Sequence, residues 1–199
     1  MGSPMQTAVV GGLEDPVFGS QAIFRQVMNA FAAPGTIADL GDLVQAPEGV
    51  VPAAAAVLAA LADQDTPVWV AQTGATVGAW VAFQTGAEVT DEPRHAVFAL
   101  LPAGMTVDDW AEFPIGTAQY PDRGATLILP VEAFEGGSEL QLTGPGIQTV
   151  RSIAPRGLPA GFVAARAADR ERFPLGHDHL LVCGTRVMAL PRTTRIQEV

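Results

Sequence analysis

Apolar positions recur with a helical period in the first part of the chain. In DPVFGSQAIFRQVMNAFAAPGT, Ile23, Val27 and Phe31 fall at i, i+4 and i+8, with Phe24 and Met28 beside them. That spacing predicts an amphipathic helix between about Asp15 and Ala33. Asp15 caps it with Pro16 in the first turn, or Ser20 caps a shorter version, and Pro34-Gly35 ends it. VPAAAAVLAALADQD predicts a second helix with Pro52 near its start. TPVWVAQ (66–72) predicts a short strand with Val68 and Trp69 on opposite faces. GATVGAWVAFQTG fits a short helix or a strand, with helix favoured.

Further along, RHAVFALLP (94–102) is a continuous apolar run of strand length, as expected of a central strand. TVDDWAEFPIG predicts a short helix, with Thr106 and Asp109 spaced as a capping box. Strand patterns follow in ATLILPV (125–131), ELQLTGPGI (139–147) and TVRSIA (149–154). LPAGFVAARAADRERF (158–173) reads as helix, and DHLLVCG and TRVMALP as two strands about a Gly184-Thr185 turn. Helices and strands alternate first and hairpins come later. The expected fold is α/β, a mixed sheet flanked by helices with a β-rich C-terminal half. At 199 residues the chain suits one domain over 1–199, with 1–15 expected to be flexible and 1–4 read as an addition ahead of Met5.

Composition narrows the classes. A mean hydropathy of +0.26 is high for a soluble monomer and points to an apolar subunit interface. No apolar run approaches the roughly 18 residues that span a bilayer, and the N-terminus lacks the pattern of a signal peptide. One cysteine forms no internal disulfide, so a reducing cytoplasm is the expected location. The net charge of −10 argues against nucleic-acid binding. Its distribution is uneven: residues 1–150 hold 3 Arg against 17 acids, and residues 151–199 hold 8 Arg against 4. An Arg-enriched terminus on an acidic body suits a phosphorylated ligand or an acidic partner. The simpler reading assigns Arg166, Arg170 and Arg172 to a solvated helix face. Lysine is absent, which removes Schiff-base chemistry and the Walker A lysine. GxSxG, HExxH, CxxC and GxGxxG patterns are absent as well.

His177, Asp178 and His179 raise the question of a metal site. On a strand the two histidines share a face with Cys183, and Asp178 points away. Strand rise separates those ligands by about 7 and 13 Å, more than one ion gathers. The favoured reading is a loop leading into a strand, with Cys183 buried as a small apolar residue. Asp178 is expected to pair with an Arg or to accept backbone N–H groups at the turn after Gly176. Gly176 is expected at positive φ. LTGPGI is an anion-binding nest or a tight turn, the turn favoured. In PRTTR, Arg192 and Arg195 flank Thr193 and Thr194, a set suited to phosphate or carboxylate capture, or to fixing the C-terminus or a subunit contact. Arg25, the one basic residue of the first helix, is an exposed charge or a salt-bridge partner.

FRQVMNAFAAPGT (24–36), DQDTPVWV (63–70), GATLILPV (124–131), LTGPGI (142–147), FPLGHDHLLVCG (173–184) and ALPRTTR (189–195) together resemble the PhnH family, the H subunit of the bacterial carbon–phosphorus lyase system. FPLG-x-D followed by PRTT is the most specific part. Phe173, Pro174, Leu175, Gly176 and Asp178 match it, while His177 and His179 stand where the family usually carries apolar residues. The resemblance implies a fold like that of pyridoxal-phosphate-dependent transferases without the cofactor, which the missing lysine independently suits. It implies a homodimer in isolation and a core complex with the G, I and J subunits. With G, I and L, the family supports transfer of the ribose triphosphate of ATP to a phosphonate, displacing adenine. It implies no catalytic residue, no cofactor and no metal, which leaves Arg25, Gly176, Asp178, Arg192, Thr193, Thr194 and Arg195 as candidate ligand or interface residues. The expected role is a required, non-catalytic subunit. The alternatives are a stand-alone enzyme with a cleft at Asp178, Arg192 and Arg195, and a small-ligand sensor using Arg192–Arg195.

Overall fold

The apolar run that follows Ala125 becomes the middle of a seven-stranded sheet. The computed structural model describes residues 11–71 and 75–199. In chain order the first half runs β1 (Gly12–Leu13), α1 (Pro16–Ala32), β2 (Ile37–Asp39), β3 (Val44–Gln45), α2 (Pro52–Leu61), β4 (Val68–Val70), α3 (Ala75–Thr85), β5 (Val89–Thr90) and β6 (Phe98–Leu100). The second half runs β7 (Thr126–Pro130), β8 (Leu140–Thr143), β9 (Arg151–Ile153), α4 (Phe162–Glu171), β10 (Asp178–Cys183), β11 (Arg186–Leu190) and β12 (Arg195–Glu198). The expected addition Met1–Pro4 lies outside the described residues, as do Gln72–Gly74 between the expected strand and helix. Within the segment 1–15 expected to be flexible, Gly12 and Leu13 pair with Gln45 and Val44.

The large sheet has the order β2-β11-β10-β7-β6-β4-β5. β11 is antiparallel to both of its neighbours, and the other six strands share one direction. This is the mixed sheet with flanking helices that the sequence pattern predicts. Alternation along the buried strands divides the core into two layers. Ile128, Leu180, Val182, Val187 and Ala189 face α1, α2 and α3. Leu127, Leu129, Leu181, Met188 and Leu190 face the other way, toward Trp110, Phe113 and Phe162. That second layer is closed by a three-stranded antiparallel sheet, β12-β8-β9, through Leu140, Leu142, Ile153 and Ile196.

Local chemistry explains the helices. The Asp15 carboxylate accepts the amides of Val17 and Phe18, so α1 starts at the earlier of the two candidate caps. α2 has Pro at its first position and buries Ala53 through Leu58 on every side; its alanines let it lie close under the sheet. The Ala53 amide donates to the Gly184 carbonyl at 2.8 Å, so the β10–β11 turn helps to satisfy the start of α2. The Thr106–Asp109 capping box forms as expected, but it opens a tight 3₁₀ segment, Val107–Glu112.

Candidate functional site

The PRTT segment and the FPLG turn meet at the end of the sheet where β7 and β10 begin. Gly176 has φ +136°, the positive value expected, and its amide donates to the Ile115 carbonyl at 3.0 Å. Asp178, the first residue of β10, accepts the backbone N–H of Arg192 at 2.7 Å and the Arg192 Nη2 at 2.6 Å, with Nε also in reach. Arg192 Nη1 donates to the Pro121 carbonyl. Asp178 therefore forms the expected ion pair and also accepts a backbone amide. The amide it accepts belongs to Arg192 and not to the turn after Gly176. The Arg192 fork is occupied within the chain.

Beside this pair lies a cluster that the sequence reading missed. Arg166, assigned to a solvated face, is buried. The reason is visible on α4: Phe162, Arg166 and Asp169 fall at i, i+4 and i+7, one face of the helix, and that face packs against the second core layer. Arg166 donates to the carbonyls of His177 (2.8 Å) and Pro191 (2.6 Å), to the Thr194 carbonyl at 3.5 Å, and to His179 Nδ1 at 3.0 Å. Asp169 pairs with Arg172 and lies 2.8 Å from His177 Nδ1; His177 Nε2 lies 3.2 Å from the Phe113 carbonyl. Burial lowers the Arg166 pKa to about 10, with Asp169 and Asp178 opposing the shift, so it stays charged at neutral pH. Burial alone would raise the Asp169 carboxyl, but hydrogen bonds and charge from His177, aided by Arg172, bring it down to about 2. His179 is pushed well below its ordinary value by burial and then by the Arg166 charge beside it.

The two histidines do share a face, with ring centroids 6.4 Å apart. Each is taken up by a different neighbour, and among the described residues no group of three ligating side chains is arranged to hold a metal ion. Cys183 is half-buried, less enclosed than expected, and its Sγ lies 3.3 Å from the Glu132 carbonyl.

The other candidates scatter. Thr194 is buried and its amide closes a turn onto the Pro191 carbonyl. Thr193 is half-buried, while Arg195 is exposed at the start of β12. Arg25 is exposed on α1 and takes part in none of the ion pairs among the described residues. The structure thus gathers Gly176, Asp178, Arg192 and Thr194 and leaves Arg25 and Arg195 apart. Gly144-Pro145-Gly146 forms a turn closed by the Ile147 amide on the Gly144 carbonyl at 3.1 Å.

Two further features bear on function. A cavity of about 570 Å³ lies beyond the carboxyl ends of β4, β6 and β7, lined by Val70, Leu100, Pro130, Glu48 and Thr76. That is where open α/β sheets usually bind ligands. It is at the opposite end of the sheet from Asp178, and its described lining includes a carboxylate and no arginine. The other feature is a surface. α1 buries Gly19, Ile23, Val27 and Ala30, yet also exposes Val17 (59%), Phe18 (72%), Phe24 (50%) and Met28 (48%). Val17, Phe24 and Met28 lie at i, i+7 and i+11, a second apolar stripe on the same helix. The helix carries no acid.

Comparison with known proteins places this geometry. Residues 11–197 match the family described as bacterial phosphonate metabolism protein (PhnH). The chain is 43% identical over 189 residues, 94% of each chain, to the alpha-D-ribose 1-methylphosphonate 5-triphosphate synthase subunit PhnH of Rhizobium meliloti. It is 32% identical over 186 residues to HtxG of Stutzerimonas stutzeri, assigned as a C-P lyase subunit protein, covering 88% of this chain and 85% of that one.

Proposed function

The chain belongs to the PhnH family of bacterial phosphonate metabolism proteins, and on that premise we propose that it is a non-catalytic but required subunit of a carbon–phosphorus lyase complex. Its role is to support transfer of the ribose triphosphate of ATP to methylphosphonate with release of adenine; the 43% identical relative is named a subunit of alpha-D-ribose 1-methylphosphonate 5-triphosphate synthase, which supports the product of that step. It acts in the cytoplasm as one domain, as a homodimer in isolation and with the G, I and J subunits in the complex, and it works functionally with L. The uncovered stripe of α1 carries this reading. Four large apolar side chains on one acid-free helix keep their surface in water until another protein covers them. On the same premise the reading extends to a pyridoxal-phosphate-transferase-like architecture without the cofactor; the chain has no lysine to hold that cofactor as a Schiff base.

The small-ligand alternative finds less support. Arg192, its principal donor, is engaged by Asp178 and Pro121, which leaves Arg195 as the free guanidinium of that segment. Co-expression with tagged G, I and J subunits tests the main reading. The wild-type chain is expected to co-purify with them, and the Phe24→Glu, Met28→Glu double variant to be lost from the complex. Failure of the wild-type chain to associate overturns the proposal. Calorimetry with ATP and methylphosphonate tests the alternative, for which binding abolished by Arg195→Ala would speak.

A further inference from the structure

The two ends of the large sheet differ. Glu88, Asp91 and Glu92 flank β5 and are all exposed, so that end carries the charges that keep an edge strand from pairing further. At the other end β2 pairs, among the described residues, with β11 alone. Its one carboxylate, Asp39, is turned back on its own chain, where it accepts the Gly41 amide at 2.9 Å and the Thr185 hydroxyl. Ile37 on the same strand stands 41% exposed.

The register shows which backbone groups of β2 are free. The Leu40 amide donates to the Thr185 carbonyl at 2.9 Å, which makes Leu40 and Thr185 a hydrogen-bonded pair, and alternation makes Ala38 and Val187 the next one. The N–H and C=O of Ile37 and Asp39 therefore point away from β11, off the edge of the sheet. Ile37 is opposite Met188, so its side chain shares the face of Met188 and of the second core layer. On that face a groove of about 510 Å³ runs beneath the edge, lined by Ile37, Met188, Ile153 and Phe134, with the exposed Glu135 and Glu139 at its rim. Its described lining holds no cation. A strand laid along β2 bonds the free groups of Ile37 and Asp39 and puts the side chain opposite Ile37 into the groove.

We propose that β2 is a docking edge for an extended segment of a partner protein, which adds a strand to the sheet, sets an apolar side chain in the groove and meets Glu135 or Glu139 with a lysine or arginine. Charge selects the occupant. β2 of a second copy offers no cation to Glu135 and Glu139, because its three residues are Ile37, Ala38 and Asp39. The inference rests on the reading of the chain as a complex subunit. α1, which carries the exposed apolar stripe, rests on β11 and β2, so both surfaces belong to one margin of the molecule and one partner can span them.

Hydrogen exchange of the free chain and of the complex purified with the G, I and J subunits tests the edge. In the free chain the Ile37 and Asp39 amides are expected to exchange freely, while β11 protects the Ala38 amide. In the complex the Ile37 and Asp39 amides are expected to slow by at least about tenfold. Glu135→Arg with Glu139→Arg is expected to leave Tm within about 2 °C and to cut recovery in the complex about tenfold. Ile37→Pro removes an outward N–H and no bond to β11, and is expected to cut recovery as well. A complex in which both amides still exchange freely, or unchanged recovery of both variants, overturns the docking edge and leaves the subunit reading standing. Protection of these amides in the free chain as it dimerises makes a second copy the occupant and also overturns the proposal. Failure of the wild-type chain to assemble overturns both.

Discussion

The outer face of α1 and the inner face of α4 invert the usual arrangement in opposite ways. α1 holds Val17, Phe18, Phe24 and Met28 in water, while α4 holds Arg166 and Asp169 in the core. The α4 inversion is resolved within the chain. Arg166 finds carbonyls just before β10 and after β11, and Asp169 finds Arg172 and His177. The α1 inversion has no such resolution among the described residues. Buried charge here ties the C-terminal half together, and the exposed stripe is the surface that the proposed association would cover. The two helices should therefore respond to substitution in opposite ways, one through stability and the other through association.

The largest effect is expected at Arg166. Arg166→Met leaves several buried acceptors without a donor and should cost about 3–5 kcal/mol in urea unfolding. A loss below about 1 kcal/mol would mean that the α4 face does not fasten the core. Next, Asp178→Ala strips Arg192 of its charge partner and of the acceptor for its amide. A loss of about 2–3 kcal/mol is expected, from charge-assisted hydrogen bonds in a half-enclosed site.

The third effect depends on pH. Asp169 has a folded pKa of about 2 against an ordinary 3.8. Its contribution is fully present above about pH 4 and is lost as pH falls toward 2, because the unfolded chain binds the proton first. The difference in stability between wild type and Asp169→Asn should shrink by roughly 2 kcal/mol over that window. A difference that stays constant with pH would separate the carboxylate from its His177 and Arg172 partners. The smallest effect on stability is expected on α1. Phe24→Glu with Met28→Glu should change unfolding by no more than about 0.5 kcal/mol, although the same substitutions should abolish co-purification. A strongly destabilised double variant would make the stripe part of the fold, and the contrast between the helices would fail.

The sequence was legible where a period had room to repeat. α1 and α2 span several turns, and β7, β10 and β11 are apolar runs of five or six residues, so hydrophobic spacing defined them. β1, β2, β3 and β5 have two or three residues each, too few for alternation to register, and their partners alone make them strands. β12 follows a turn and alternates a single buried residue, Ile196, with charged and polar ones. A pairing of Asp178 with an arginine was readable as one of two options because the aspartate needed a partner, but the choice of Arg192 from an Arg-enriched terminus was not. The Arg166 cluster was not. A charge in the core is recognised by what surrounds it, and its partners come from β10 and from the turn before β12. The one local hint was the spacing of Phe162, Arg166 and Asp169.

The pairing of β2 with β11 has a consequence in time. Ile37 is made long before its partner Met188. While the chain emerges from the ribosome, β2 has no strand beside it, and α1, which also rests on β11, has no complete floor. The sheet can close on that side only after β11 has been made. Until then the part of α1 that rests on β11 is open to water as well as its outer stripe, so the nascent chain displays more apolar surface than the finished protein, and chaperones have that interval in which to act.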